Sequence, residues 1–166
     1  MRKKIRYDRL MIVGLVCILV MSIFIYMLTQ RKQEHVYSGN IETYIGTYRQ
    51  NDKVYTFDLK AFIENDQYYI SLNDMYNMMI ILDEKSKVFI DQNKHVLTYQ
   101  LSQIDYHFDY GHDKIVYNND CIDLNKKNDH IYIYHKNVYI SVYYIEKLLL
   151  NNEKKIKFEN KNAIIA

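Results

Sequence analysis

The spacing of apolar positions changes period along the chain. From position 10 to 29 the sequence reads LMIVGLVCILVMSIFIYMLT, an apolar run without a charged residue. At 1.5 Å per residue a helix of this length spans about 30 Å, the hydrocarbon thickness of a bilayer. Ser22 and the ends are its only polar features, and Tyr26 falls where an outer interfacial aromatic belongs. The run predicts a transmembrane helix over 10–29. The following stretch 30–40 is polar and aperiodic, which predicts a short linker.

Beyond position 40 the period shortens to two. Positions 41–45 alternate, and so do 54–63, with Tyr55, Phe57 and Leu59 on one side. Polar turns at 49–53 and 64–67 separate these from a short strand at 68–70. Ser71 with Asp74 three residues on resembles a capping box. It predicts a helix over 72–79 with Leu72, Met75, Tyr76 and Met79 on one face. Segments 80–82 and 88–90 bracket Asp83-Glu84-Lys85-Ser86 as an expected hairpin. Further strands are expected at 96–101, 104–110, 115–117 and 121–124, with Asn118-Asn119-Asp120 as a tight turn and 126–129 as a polar break.

The pattern repeats itself. Tyr69-Ile70-Ser71-Leu72 recurs as Tyr139-Ile140-Ser141-Val142. In the same register Phe62-Ile63 meets Tyr132-Ile133, and Met75, Met78 and Met79 meet Ile145, Leu148 and Leu149. After a short insertion Ile80-Ile81-Leu82-Asp83 aligns with Ile156-Lys157-Phe158-Glu159. Each copy reads as strand, turn, strand, short helix, hairpin. One copy leaves a helix face and a sheet face uncovered, and two can bury both.

These residues carry a resemblance. A hydrophobic pair before a short helix, followed by a hydrophobic strand with an acidic residue at its end, is similar to the copper amine oxidase N-terminal-like (stalk) domain. The motif stands here as Tyr69-Ile70-Ser71-Leu72-Asn73 and Tyr139-Ile140-Ser141-Val142-Tyr143, then as residues 80–83 and 156–159. The family's Pro is Ser in both copies, its Arg is Asn73 or Tyr143, and its helix-ending Gly is missing. The resemblance implies an α+β fold, an antiparallel sheet wrapped around short helices. It implies no oxidase chemistry, since the family's copper and quinone belong to a separate catalytic domain. Modules of this kind accompany peptidoglycan-active enzymes in bacterial envelopes or stand alone, as spacers or interaction modules.

The chain has 166 residues and a formal net charge of +2. The positive charge is concentrated before the apolar run, at Arg2, Lys3, Lys4, Arg6 and Arg9. This predicts a cytoplasmic N-terminus and an extracytoplasmic C-terminal domain. No A-x-A pattern follows the run, so an uncleaved signal anchor is expected rather than a removed signal peptide. The remainder is mildly acidic, which argues against a nucleic-acid partner. Cys17 lies inside the apolar run and Cys121 far outside it, so no internal disulfide is expected. A small buried residue is the expected role of Cys121, with a cross-link between two chains as the alternative.

Candidate chemistry is sparse. Positions 105–113 hold His107, His112, Asp105, Asp109 and Asp113, a donor set that could ligate a metal. Strand alternation explains it otherwise: Ile104, Tyr106, Phe108 and Tyr110 on one face, Asp105, His107 and Asp109 on the other, and Gly111 in the turn. No metal and no cofactor is therefore expected; His107, Asp109 and His112 are the residues that would ligate one. His130 and His135 read as exposed turn residues. The four glycines leave no phosphate-cradling loop, and there is no G-x-S-x-G elbow. Tyr132, Tyr134, Tyr139, Tyr143 and Tyr144 concentrate aromatic surface that could bind a sugar or a partner protein, with core packing as the competing role.

The expected organisation is a basic tail 1–9, a transmembrane helix 10–29, a linker 30–40 and an internally duplicated α+β domain 41–166. The domain is mainly antiparallel β with two short helices, and its repeats lie at about 54–101 and 115–166. The expected function is a membrane-anchored, non-catalytic module. It would bind or position peptidoglycan, a cell-wall polymer or an envelope protein. Two alternatives are an accessory subunit of an envelope enzyme complex and a metal-binding protein or enzyme built on the His107/His112 segment.

Overall fold

A computed structural model describes residues 7–29, 34–101, 103–151 and 153–166. Most of the basic tail and residues 30–33 of the expected linker lie outside the described residues. The chain forms two compact units, Met1–Lys32 and Gln33–Ala166.

The first unit contains α1 (Tyr7–Thr29), 23 residues without a polar stripe. Ser22 donates its hydroxyl to the Ile18 carbonyl at 2.8 Å, so this hydroxyl is satisfied within the helix. Side chains of α1 are described from Met11 to Tyr26, and all are exposed. Over the described side chains, no helix is long and apolar enough to cross a membrane.

The second unit is an α+β fold with mostly antiparallel sheets. Its strands are β1 (His35–Val36), β2 (Glu42–Gln50), β3 (Lys53–Glu64), β4 (Gln67–Ser71), β5 (Lys87–Asp91), β6 (Val96–Leu101) and β7 (Ile104–Asp109), then β8 (Lys114–Tyr117), β9 (Asp120–Asp123), β10 (Tyr132–Tyr134), β11 (Asn137–Ser141), β12 (Ile156–Glu159) and β13 (Asn162–Ile165). Helix α2 (Leu72–Leu82) follows β4, and α3 (Val142–Tyr144) follows β11 and runs on as a π-turn, Ile145–Leu149. One sheet has eight strands in the order β1-β10-β11-β4-β3-β2-β13-β12; the other is the meander β5-β6-β7-β8-β9. Among the described residues only β1/β10 and β13/β2 pair parallel.

Two-residue turns set the registers. The pairs Asn51-Asp52, Asn65-Asp66, Asn118-Asn119, His135-Lys136 and Asn160-Lys161 all have positive φ at both positions. That is the type I′ geometry, whose twist matches the strands it joins. Asn and Asp tolerate it; lysine does so at a cost of about 1–2 kcal/mol. Lys136→Gly should therefore stabilise the domain by about 0.5–1 kcal/mol, after the larger entropy glycine gives the unfolded chain. Urea unfolding would register this as a raised midpoint at unchanged slope.

Helix α2 starts where the sequence predicts it. Ser71 caps it, its Oγ accepting the Asp74 N–H at 3.2 Å. The helix runs three residues past the predicted end, to Leu82, so the expected strand 80–82 is helical. Its buried face is Leu72, Met75, Met78 and Met79, with Met78 where Tyr76 was expected. The strand that returns from α2 is β5, which pairs with β6 rather than with 80–82. The expected match of 80–83 to 156–159 fails for the same reason, since Ile156–Glu159 is strand β12.

The two segments that the sequence matches pair as antiparallel strands. Ile70 pairs with Ile140, flanked by Tyr69 with Ser141 and Tyr139 with Ser71. These are the positions that the sequence places in the same register. The correspondence ends after the helices: β5 and β6 enter the five-stranded sheet, whereas β12 and β13 extend the eight-stranded one. One core takes side chains from both sheets and both helices, including Tyr48, Leu59, Met75, Met79, Tyr99, Phe108 and Leu148.

Candidate functional site

The aromatic concentration is largely interior. Tyr132, Tyr139 and Tyr144 are buried and Tyr134 is half-buried, which leaves Tyr143, 53 % exposed, as the accessible ring. Tyr132 and Tyr139 join Phe62 and Tyr69 in a second, smaller core. Tyr37 stacks on Phe62 at 3.7 Å, and Phe62 on Tyr69 at 5.1 Å. Tyr69 donates its hydroxyl to Asp129 Oδ1 at 2.6 Å. Burial, then this hydrogen bond, raises the Tyr69 phenol above its ordinary value. Tyr132 is pushed up to about 12, first by burial and then by the Glu64 carboxylate. These phenols stay neutral and serve packing. Tyr143 carries two ammonium groups near its face, those of Lys127 and Lys147, each 5.8 Å from the ring centre.

The expected metal candidates lie on β7 and the turn after it, as alternation predicts: Tyr106, Phe108 and Tyr110 are buried, while His107 and Asp109 are half-buried. Each candidate is engaged in its own turn or strand pair. His107 Nδ1 lies 2.9 Å from Thr98 Oγ1 on the neighbouring strand. Asp109 Oδ1 accepts the Gly111 and His112 N–H groups at 3.0 and 3.1 Å, and its Oδ2 meets His112 Nδ1 at 2.8 Å. The carboxylate closes the turn. His107 does not join this pair in a common donor set.

Among the described residues the donors that converge are His35, Asp113 and His130, whose ligand atoms lie within 4.8 Å of one another. Asp113 Oδ2 is 2.9 Å from His35 Nε2 and 3.1 Å from His130 Nδ1. Asp113 Oδ1 accepts the Ile131 N–H at 2.8 Å, which fixes the carboxylate plane. The Asp113 side chain is 3 % exposed, while those of His35 and His130 are 24 % and 26 % exposed. The two imidazoles stack at 3.9 Å with 20° between planes, and Tyr132 abuts both edge-on at 6.1 Å.

Three chain-distant segments build this cluster. Asp113 sits in the β7–β8 turn with φ 51°, a conformation aspartate tolerates better than most residues. His130 precedes β10, with its N–H held by Asp129 Oδ1 at 2.8 Å. His35 arrives because β1 pairs with β10, His35 opposite Tyr132. This corrects the linker expected over 30–40: its described part is fastened to the domain. Glu34 Oε1 lies against His95 Nδ1, and the Tyr37 N–H donates to the Ile133 carbonyl at 3.0 Å. His130, expected as an exposed turn residue, is a member of the cluster; His135 is in the β10–β11 turn as expected. Cys121, expected to be buried, is exposed on β9.

A hollow of about 420 Å³ is lined by Thr47, Arg49, Val54, Asn162 and Ile164. Its volume falls within the range of ligand sites, but it brings no nucleophile, acid or base together. Comparison with protein-family models, curated proteins and solved structures finds no match for this chain.

Proposed function

We propose that this protein is a membrane-tethered, extracytoplasmic module without catalysis, built to hold or contact components of the cell envelope. One observation carries the reading: α1 is a 23-residue helix whose residues from Leu10 to Thr29 include no charge. The described side chains of α1 are too few to span a membrane by themselves, but as a helix the whole uncharged sequence 10–29 would be about 30 Å long, the thickness of a bilayer core. A helix apolar all round has no water-facing side and must be covered. The basic residues before it favour a cytoplasmic N-terminus. On this reading the duplicated strand–turn–strand–helix unit behind the anchor acts as a spacer of the copper amine oxidase N-terminal-like kind, contacting peptidoglycan, a wall polymer or an envelope protein. The interior position of Tyr132, Tyr139 and Tyr144 supports a scaffolding role over a sugar-stacking one.

Membrane fractionation tests the anchor. The full chain should stay with the membrane through carbonate extraction. A Val16→Arg/Leu19→Arg double variant should move to the soluble fraction, because each arginine near a span centre costs about 2.5–3.5 kcal/mol on insertion scales. Release of the unaltered chain by carbonate would remove the proposal.

A further inference from the structure

We infer that His35, Asp113 and His130 bind one divalent ion of the zinc class. This inference goes beyond the tethered-module reading and stands or falls separately from it. The donor set, two imidazoles and one carboxylate, suits zinc and its neighbours and is poor in the oxygens that calcium and magnesium demand. Tetrahedral bonds of about 2.05 Å place neighbouring donors about 3.3 Å apart. Here Asp113 Oδ2 lies 2.9 and 3.1 Å from the two histidine nitrogens. Asp113 Oδ2 needs to part from each histidine nitrogen by only a few tenths of an ångström, and the two nitrogens already lie within 4.8 Å of each other.

The carboxylate is already prepared for such a role. Its Oδ1 is committed to the Ile131 N–H, so Oδ2 alone faces the histidines. An ionised carboxylate can only accept, so without an ion both imidazoles donate N–H to that one oxygen. To take an ion, each imidazole carries its proton on the other ring nitrogen, so that the nitrogen facing Asp113 presents a lone pair and all three donors can ligate at once. The partial exposure of both histidines leaves a side open for a water as the fourth ligand.

The ring stack decides which part moves. Imidazole lone pairs lie in the ring plane, and planes inclined by only 20° at 3.9 Å do not both contain an ion placed between them. Loading therefore splays the rings. His35 is the one to turn, because β1 is a two-residue strand at the sheet edge, whereas His130 is held by its backbone to Asp129. The ion then fastens the chain that follows α1 to the turn at Asp113 and the start of β10. It acts as a clasp between the edge strand β1 and the core of the domain.

The test uses full-length protein in detergent, carrying no histidine tag and stripped with a chelator. Calorimetric titration with Zn²⁺ should show one ion per chain, unaffected by excess Mg²⁺ or Ca²⁺, and Zn²⁺ should raise the Tm. Losing an outer hydrogen-bond partner of a ligand costs about 10–100-fold in affinity, so losing a ligand should cost at least that. His35→Ala and His130→Ala should each weaken Zn²⁺ by about 100-fold or more and abolish the Tm shift. His112→Ala, outside the cluster, should leave both unchanged. Asp113→Asn should behave like the ligand variants. If it fails to fold, His35→Ala still decides, since its side chain lies on the edge strand. Absence of stoichiometric Zn²⁺ binding, or binding that His35→Ala and His130→Ala leave intact, overturns the inference.

Discussion

Tyr99→Ala is expected to destabilise the domain by about 3–5 kcal/mol, a large part of the roughly 5–15 kcal/mol that holds a domain together. Tyr99 lies on β6 in the five-stranded sheet and is fully buried. Its hydroxyl donates to the Leu72 carbonyl in the first turn of α2 at 2.9 Å, and its ring meets the edge of Tyr76 at 6.4 Å. Leu72 in turn follows β4 of the eight-stranded sheet. One side chain thus ties the meander to the helix that covers the other sheet. Burial raises its phenol above the ordinary value, so it remains a donor at neutral pH. Tyr99→Phe keeps the ring and loses only the donor, at about 0.5–1.5 kcal/mol. Chemical unfolding followed by circular dichroism should rank the variants alanine below phenylalanine below the unaltered chain. An alanine variant within 1 kcal/mol of the unaltered chain would show that the two sheets are not joined through this contact.

Much of this architecture was legible because local signals and tertiary packing agree. The turn at 64–67 and the Ser71 cap are local chemistry, and both appear as expected, with Asn65-Asp66 at positive φ and Ser71 Oγ on the Asp74 N–H. The alternation of 104–110 separated Tyr106 and Phe108 from His107 and Asp109 correctly, because one face of β7 packs on the core. The matched segments 69–71 and 139–141 lie side by side as neighbouring antiparallel strands, Ile70 opposite Ile140.

The misses have a common cause. Residues 80–82 are apolar without a period, and a short apolar run cannot distinguish a helix's last turn from a strand. Packing decided for the helix, whose last turn is closed by the Asp83 N–H donating to the Met79 carbonyl at 2.8 Å. The His35–Asp113–His130 cluster is invisible to any window along the chain, because a parallel pairing of two short strands brings it together. His35 sits in a stretch with no periodicity, and a two-residue strand leaves none to find. The denser His107–His112 segment drew attention instead, although its spacing serves a strand and a turn. Composition misled similarly at Cys121: a strand-like segment suggested burial, but β9 is the outer strand of its sheet.

The same tyrosine-rich interior makes the domain alkali-sensitive: it should unfold cooperatively between about pH 10 and pH 12. Burial pushes Tyr132, Tyr139 and Tyr144 up to about 12, and it raises Tyr44, Tyr69 and Tyr99 as well. An unfolded tyrosine ionises near 10. The folded state therefore holds its protons more tightly than the unfolded state. Stability from these groups is complete below about pH 10 and is lost as the pH rises toward the folded values. Each unit of difference corresponds to about 1.4 kcal/mol, so each of the three held near 12 contributes on the order of 2 kcal/mol. Together that is comparable to the whole stability of a domain. Tyrosinate absorbance and far-ultraviolet circular dichroism should change together, because these rings cannot ionise in place. Tyr139→Phe removes one of the linked groups and should move the alkaline midpoint upward. Gradual ionisation of all tyrosines with the dichroism unchanged would show that the phenols of Tyr132, Tyr139 and Tyr144 are not held within the fold.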